Sequence, residues 1–132
     1  MCHFLHQDLQ YDRSLDPCRG REQRGLEGFG FCQVGTGAAL LDDDIALLGA
    51  PGVDTARGMI FGISVSDNFL TKDRNQYKSP ISPSTPLDKY SYLGMAVEGG
   101  KFFSNDTYSY VSGAPKAANF AGQVIFFERV RN

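Results

Sequence analysis

The chain has little of what catalytic and metal sites are made from. Of its 132 residues only two are histidine and three are cysteine, and both histidines, His3 and His6, stand at the very start. No serine lies in a nucleophile elbow, no Gly-x-Gly-x-x-Gly joins a strand to a helix, and no Walker lysine is present. Because nothing here assembles acyl or phosphoryl transfer, we expect the protein not to be an enzyme.

Charge and hydropathy exclude two further kinds of contact. The 13 basic residues nearly balance the 15 acidic ones, for a net charge of −2, so the chain lacks the excess of basic residues that is typical of nucleic-acid-binding proteins. No run approaches the ~18 apolar residues of a membrane span. The stretch after Met1 has neither the basic start nor the long apolar segment of a signal peptide. We therefore expect this segment to touch neither nucleic acid nor membrane.

What the chain does have is an internal repeat. Gly49-Ala50-Pro51 recurs as Gly113-Ala114-Pro115, and 113 − 49 gives an offset of 64 residues. Three glycine pairs share that offset: Gly30 and Gly94, Gly35 and Gly99, Gly58 and Gly122. Self-similarity at a fixed offset without gaps is typical of repeat architectures in which each unit is one supersecondary module.

The residues between these landmarks predict strands. Short apolar runs rich in aromatic and β-branched residues, bounded by Gly and Pro, occupy 45–48, 58–65, 108–111 and 122–127. Since proline cannot donate to a sheet ladder, each Gly-Ala-Pro should end a strand. The predicted unit is a strand, a turn, a strand into Gly-Ala-Pro, a loop and a third strand. This is an all-β, blade-like antiparallel meander.

With these motifs the sequence resembles the FG-GAP repeat of integrin α subunits. Phe29-Gly30 precedes the first Gly-Ala-Pro, while the second copy has Tyr92-Leu93-Gly94, with leucine between the aromatic residue and glycine. The resemblance covers about residues 2–128. It implies a partial β-propeller: about one and a half to two blades of a seven-bladed head, around the third and fourth repeats. Because isolated repeats cannot bury their faces, we expect such blades to depend on neighbours.

The resemblance also implies how the chain is divided. Residues 1–28, polar and predicted to be irregular, would be an inter-blade loop region. Residues 29–90 would be the first repeat, and 91–132 the second, incomplete repeat. Within the first, the Ser-, Pro-, Asn- and Lys-rich stretch 66–90 is predicted to be a long inter-strand excursion, with residues 69–78 as the place for an edge strand.

The cysteines admit two interpretations. Free thiols of an intracellular protein are one, and the cysteine count alone does not exclude them. A zinc site is disfavoured because His3 and His6 lack a paired cysteine motif. The integrin resemblance implies the second interpretation, a Cys18–Cys32 disulfide that closes a surface loop, with the partner of Cys2 lying upstream.

No metal is expected in this segment. Three consecutive aspartates, residues 42–44, cannot all point into one site, so a solvated turn is predicted there. Later repeats of the family carry a calcium loop whose matching positions here are Lys101, Phe103, Asn105 and Ser109, and the first two supply no oxygen ligand. Calcium is expected only in later repeats of a full-length parent. Asn105-Asp106-Thr107 is instead an N-glycosylation sequon.

The resemblance implies a binding function on the extracellular side of the plasma membrane, in which an integrin β subunit and the α head together bind extracellular-matrix ligands. Ligand-facing loops would be 18–32, 53–57 and 86–90. Arg-Gly-Asp-binding members place acids on the first and third of these and an aromatic residue on the second. The matching positions here are Glu27, Thr55 and Lys89, with Asp54 and Asp88 adjacent. Carboxylate pairing to arginine is thereby weakened, and laminin-like ligands stay open.

For the β-subunit interface, the family uses aromatic residues that cage a basic side chain. Tyr92 matches such a position, while Thr36 and Met95 fall where aromatic residues are usual. A core tyrosine between blades is the alternative for Tyr92. Two other functions also stay open: the propeller part of a secreted hydrolase, and a truncated gene product that binds nothing.

Overall fold

The computed structural model describes residues 1–5, 7–65 and 87–128, so the predicted edge strand at 69–78 lies outside it. The strands of the described part are β1 Cys2–Leu5, β2 Tyr11–Leu15, β3 Gln23–Arg24, β4 Glu27–Gly28, β5 Ala38–Leu40, β6 Ile45–Ala50, β7 Met59–Ser64, β8 Ala96–Gly100, β9 Ser109–Ala114 and β10 Gln123–Glu128. Two four-residue helices, α1 Val53–Ala56 and α2 Ala117–Phe120, follow the Gly-Ala-Pro motifs.

Two three-stranded antiparallel meanders form the body of the fold, and they confirm the all-β prediction. The first meander has the order β5-β6-β7 and the second β8-β9-β10. β6 ends at Ala50 and β9 at Ala114, so each Gly-Ala-Pro ends a strand, as predicted from its proline. The last strand of each meander begins directly after a glycine, Gly58 or Gly122.

The repeat extends to the backbone of the turn that joins the last two strands of each meander. Residues 54–56 and 118–120 are non-glycine residues with φ between +51° and +69°, so α1 and α2 contain left-handed turns. The same bond closes both turns, because Gly58 N–H donates to Val53 O at 3.0 Å and Gly122 N–H to Ala117 O at 2.9 Å. Left-handed geometry costs about 1–2 kcal/mol per non-glycine residue, so packing must stabilise both turns.

The core lies on the two faces of the first meander. On one face Leu48, Phe61 and Ile63 pack with Cys18 and Cys32 from the preceding segment. On the other face Leu47 and Ile60 pack with Tyr110 and Phe127 of the second meander, and with Leu93. Because β6 is buried along its whole length, it is the centre of a stack that runs from the amino-terminal segment through the first meander to the second.

The far face of the second meander is open among the described residues. At the 64-residue offset, Val111 and Val124 correspond to Leu47 and Ile60, which are fully buried by the second meander. Val124, in contrast, is 66% exposed. The face that the second meander covers on the first is therefore repeated, uncovered, on the second.

Close backbone approach explains why several landmarks are glycine. A Cβ on Gly49 would overlap the carbonyl oxygen of Gly94, and a Cβ on Gly58 would overlap the backbone N and O of Leu93. Gly58 and Leu93 form a parallel bridge between the two repeats. These glycines let the second repeat lie directly on the backbone of the first.

The prediction that residues 1–28 are irregular is wrong for much of that segment. β1 and β2 form an antiparallel hairpin that pairs Cys2 with Leu15 and has a bulge between Phe4 and Leu5, and β3 pairs with β4. Most side chains described here are exposed, so the apolar alternation that marks a half-buried strand is absent. Backbone pairing needs no such pattern. The boundaries proposed at residues 28 and 90 stay predictions.

Candidate ligand-facing loops and subunit interface

A disulfide joins Cys18 and Cys32, as the integrin resemblance implied. Their Cα atoms are 6.4 Å apart, and both residues are buried against the first meander. Arg21 lies inside the closed loop, where its Nε donates to Pro17 O at 2.8 Å and its guanidinium lies 5.0 Å from the centre of the Phe29 ring. The loop is therefore anchored at its base by covalent, hydrogen-bonded and cation–π contacts.

The tip of this loop presents Glu27. The two-residue strands β3 and β4 pair Glu27 with Arg24 across the hairpin, and the Phe29 N–H donates to Glu22 O at 2.8 Å. Arg24 also forms an exposed ion pair with Glu22 at 2.7 Å. Glu27 is exposed, so its carboxylate is accessible but has a basic residue directly across the strand pair.

The backbone of Thr55 ties the three predicted loops together. Its N–H donates to Leu26 O of the first loop at 2.7 Å, and its carbonyl accepts from Tyr90 N–H of the third loop at 3.0 Å. Two more bonds run parallel to these: Tyr92 N–H donates to Ala56 O at 2.9 Å, and Leu93 N–H to Arg57 O at 3.0 Å. The left-handed turn at 53–57 is thus the link that places the first and third loops side by side.

The Thr55 side chain itself does not face solvent. It is 7% exposed, and its buried Oγ1 has no hydrogen-bond partner among the residues that the structure describes. Asp54 beside it is half-buried, with 47% of its side chain exposed, and forms an ion pair with Arg57, with 3.2 Å between Asp54 Oδ2 and Arg57 Nε. Thr55 therefore lies where it can position the loops, while Asp54 is the residue of this turn that a ligand can reach.

The third loop carries its charges on an ordered turn. Ser91 is 1% exposed, and its hydroxyl donates to Asp88 O at 2.6 Å. Asp88 and Lys89 are both exposed. Basic residues accompany the acids of the three loops: Arg24 pairs with Glu22 and lies across the hairpin from Glu27, Arg57 pairs with Asp54, and Lys89 adjoins Asp88. The surface that these loops form is mixed in charge rather than uniformly acidic.

At the predicted subunit interface, the Tyr92 ring has a partner within the chain. Lys116 Nζ lies 4.3 Å from the centre of that ring. Met95 is 44% exposed, and Thr36 is exposed with its hydroxyl donating to Gln33 O at 2.8 Å. The cation–π contact of Tyr92 was not predicted. The sequence could have indicated it only through knowledge that the second Gly-Ala-Pro turn packs beside residues 91–92.

The aspartate turn and the sequon loop lie at the other end of the meanders. Tyr108 donates to Asp42 Oδ2 at 3.2 Å, linking the β8–β9 loop to the β5–β6 turn. Desolvation raises the pKa of Tyr108, and the hydrogen bond to Asp42 and the negative charges of Asp42 and Asp43 raise it further. Asn105 is exposed in the same loop. Within the described ranges, no three His, Cys, Asp or Glu side chains cluster as metal ligands would.

Stacked antiparallel meanders in one register, each with a Gly-Ala-Pro turn, define a partial β-propeller of the FG-GAP type. No family model matches the chain. Curated relatives do match, and integrin alpha-7 of Rattus norvegicus is 34% identical over 139 aligned positions that cover 97% of the chain. Integrin alpha-6 of Gallus gallus is 31% identical over 99% of the chain, and integrin alpha-V of Gallus gallus 30% over 84%.

By these matches the chain belongs to the integrin α family. It spans about 12% of the length of the curated relatives it matches, with 12%, 13% and 11% for the three above. Among the residues that the structure describes, no helix has the length and apolar character needed to cross a bilayer.

Proposed function

We propose that the chain is a segment of the ligand-binding head of a heterodimeric adhesion receptor and has no enzymatic activity. In this proposal it lies on the extracellular side of the plasma membrane, pairs with an integrin β subunit and contributes loops to an extracellular-matrix site. The observation that carries the proposal is the Thr55 backbone link, which brings a disulfide-closed loop and two charged loops onto one edge of an integrin-type meander stack.

The mixed charge of these loops bears on the ligand. A bidentate pairing with the arginine of an Arg-Gly-Asp peptide requires carboxylates that are not already matched by local cations. Asp54 is paired with Arg57 and Asp88 adjoins Lys89, whereas Glu27 lies opposite an Arg24 whose guanidinium pairs with Glu22. We therefore assign to the loops a broad polar contact with a matrix protein such as a laminin, rather than a bidentate contact with a single arginine.

The Lys116 contact bears on the β subunit. A cation from a partner needs an open aromatic face, and Lys116 already lies 4.3 Å from the Tyr92 ring centre. In this proposal Tyr92 fixes residues 90–94 against the second Gly-Ala-Pro turn, and the exposed Met95 and Thr36 supply contacts to the β subunit. The open face of the second meander packs on a further meander of the receptor head.

A chimeric receptor tests the proposal. The 132-residue chain replaces its aligned segment in integrin alpha-6 of Gallus gallus, and the chimera is co-expressed with a β subunit. Surface display of the heterodimer measures pairing, and cell adhesion to laminin and to an Arg-Gly-Asp-containing matrix protein measures ligand binding. We expect display at a level near that of the parent receptor and adhesion to laminin in preference to the Arg-Gly-Asp protein.

Loop variants make the test specific. Glu27→Ala combined with Asp88→Ala should reduce adhesion while leaving display unchanged, because both carboxylates are exposed. Asp106→Ala, an equally exposed acid in the β8–β9 loop at the opposite end of the meander, is the matched control. Loss of display in the unmodified chimera, or equal adhesion of the loop variant and the control, would contradict the proposal.

A further inference from the structure

An exposed aromatic cluster lies at the β8–β9 loop. Phe102, Phe103 and Phe126 are 46%, 57% and 49% exposed. The rings of Phe102 and Phe103 each form a T-shaped, edge-to-face contact with the ring of Phe126. The centroid separations are 5.4 and 5.8 Å. These three phenylalanines form an apolar patch at the surface, in which Phe102 and Phe103 belong to the β8–β9 loop, whereas Phe126 shares with Val124 the open face that a further meander is proposed to cover.

The same loop carries the sequon, two residues beyond the most exposed of these rings. Two residues span at most about 7 Å, so Asn105 lies within that distance of Phe103 along the backbone. Asp106 N–H donates to Ser104 Oγ at 3.2 Å, which orders the bend between the ring and the rest of the sequon. Asn105 is exposed, and Thr107 completes the acceptor sequence.

We propose that Asn105 carries an N-linked glycan whose first N-acetylglucosamine packs on the exposed surface of the Phe103 ring. One face of this sugar presents C–H groups, which suit the electron-rich face of an aromatic ring. Stacking removes apolar area of both groups from water. The Phe126 ring contacts the Phe103 ring from one side, and more than half of Phe103 is exposed to receive the sugar.

The inference rests on the proposed extracellular location, because N-glycosylation takes place only in the secretory pathway. It does not depend on ligand binding or on the β subunit. Neither readout below involves adhesion, so a failure here leaves the receptor proposal standing, and a failure of the chimera leaves the glycan contact standing.

The test uses the whole chain, secreted from mammalian cells behind an added signal peptide. Mass spectrometry measures occupancy of Asn105, and an endoglycosidase trims the glycan to a single N-acetylglucosamine. Thermal unfolding of the trimmed chain is compared with that of the Asn105→Gln chain. We expect the sugar to raise Tm by about 2–6 °C, the range for one aromatic contact in a domain of this size.

Two substitutions in the same cluster separate a specific contact from a general effect of the sugar. Phe103→Leu should abolish the rise in Tm, whereas Phe102→Leu, the matched control, should leave it. A second measurement needs no substitution: proton NMR of the trimmed chain should show sugar protons shifted upfield by the ring current of Phe103. An unoccupied Asn105, an equal rise in both phenylalanine variants, or sugar protons at their free-solution positions would each overturn the inference.

Discussion

Replacement of Gly49 by alanine tests the contact between the two meanders. Gly49 lies at the end of β6, where an added Cβ would overlap the Gly94 carbonyl oxygen and lie 2.8 Å from its carbonyl carbon and 3.0 Å from its Cα. Carbon atoms pack favourably at about 3.5–4.0 Å. The two backbones would therefore have to separate by roughly 1 Å, which a side-chain rotation cannot provide because every overlapped atom belongs to the main chain.

The cost follows from what holds Gly94 in place. Its N–H is directed at two acceptors, Ser112 Oγ at 2.9 Å and Gly113 O at 3.2 Å, and the preceding Leu93 is fully buried. Overpacking costs about 1–3 kcal/mol, and each weakened hydrogen bond adds about 0.5–1.5 kcal/mol. We expect Gly49→Ala to lower the free energy of unfolding by about 3 kcal/mol, equivalent to a fall in Tm of about 10 °C.

The matched control is Gly113→Ala at the same place in the second repeat. A Cβ there meets no atom of the described residues within 4 Å, and alanine suits a strand better than glycine by about 0.5–1 kcal/mol. Thermal unfolding of the secreted, oxidised chain, followed by circular dichroism at one protein concentration, measures both variants. If Gly49→Ala unfolds at the temperature of the unsubstituted chain, or if both variants fall equally, the two repeats do not pack as described.

Three further predictions follow from single contacts. Cys18→Ser should lower the free energy of unfolding by about 3 kcal/mol, the value for a disulfide that closes a loop of this length. Urea unfolding measures this change, and an unchanged unfolding midpoint would contradict the prediction. The pKa of Tyr108 is raised by desolvation and by Asp42, so the stabilisation from its neutral form is complete below about pH 10 and is lost as pH rises through the folded-state pKa. Tyr108→Phe should therefore show a smaller loss of stability at alkaline pH, measured as Tm against pH. An equal loss in both proteins would refute the role of Tyr108. Lys116→Ala should cost about 0.5–1 kcal/mol, and a double-mutant cycle with Tyr92→Leu should show a coupling of that size rather than additivity.

The meanders could be predicted because their signals are local and occur twice. Proline after Ala50 and Ala114 fixed where strands end, and the 64-residue offset placed the second unit once the first was recognised. The glycines at 49 and 58 marked the repeat in the sequence, and the structure identified the backbone of Leu93 and Gly94 as the reason for their lack of a side chain. The disulfide between Cys18 and Cys32 came from the family resemblance, since the cysteine count alone left free thiols open.

The rest depends on contacts that composition does not encode. The β1–β2 hairpin pairs through its backbone while exposing most of its described side chains, so it lacks the alternation that marks a buried strand. Residues 54–56 are three consecutive left-handed residues, a conformation that costs energy for non-glycine residues, and the bonds of Thr55 that accompany it go to Leu26 and Tyr90, which are distant in sequence. Consequently the burial of Thr55 could not be inferred from its place in a loop.

The open face of the second meander is the place where a further repeat is proposed to stack, and a substitution of Gly113 tests that contact. In the chimeric receptor head, where a further meander is proposed to cover this face as the second covers the first, Gly113 takes the place that Gly49 has in the isolated pair. The measurement is surface display of the chimera with its β subunit for Gly113→Ala beside Gly49→Ala. We predict that both variants lose display to a similar degree, although Gly113→Ala is harmless in the isolated chain. Display of Gly113→Ala at the unsubstituted level, with Gly49→Ala impaired, would show that no further repeat stacks on this chain in the same register.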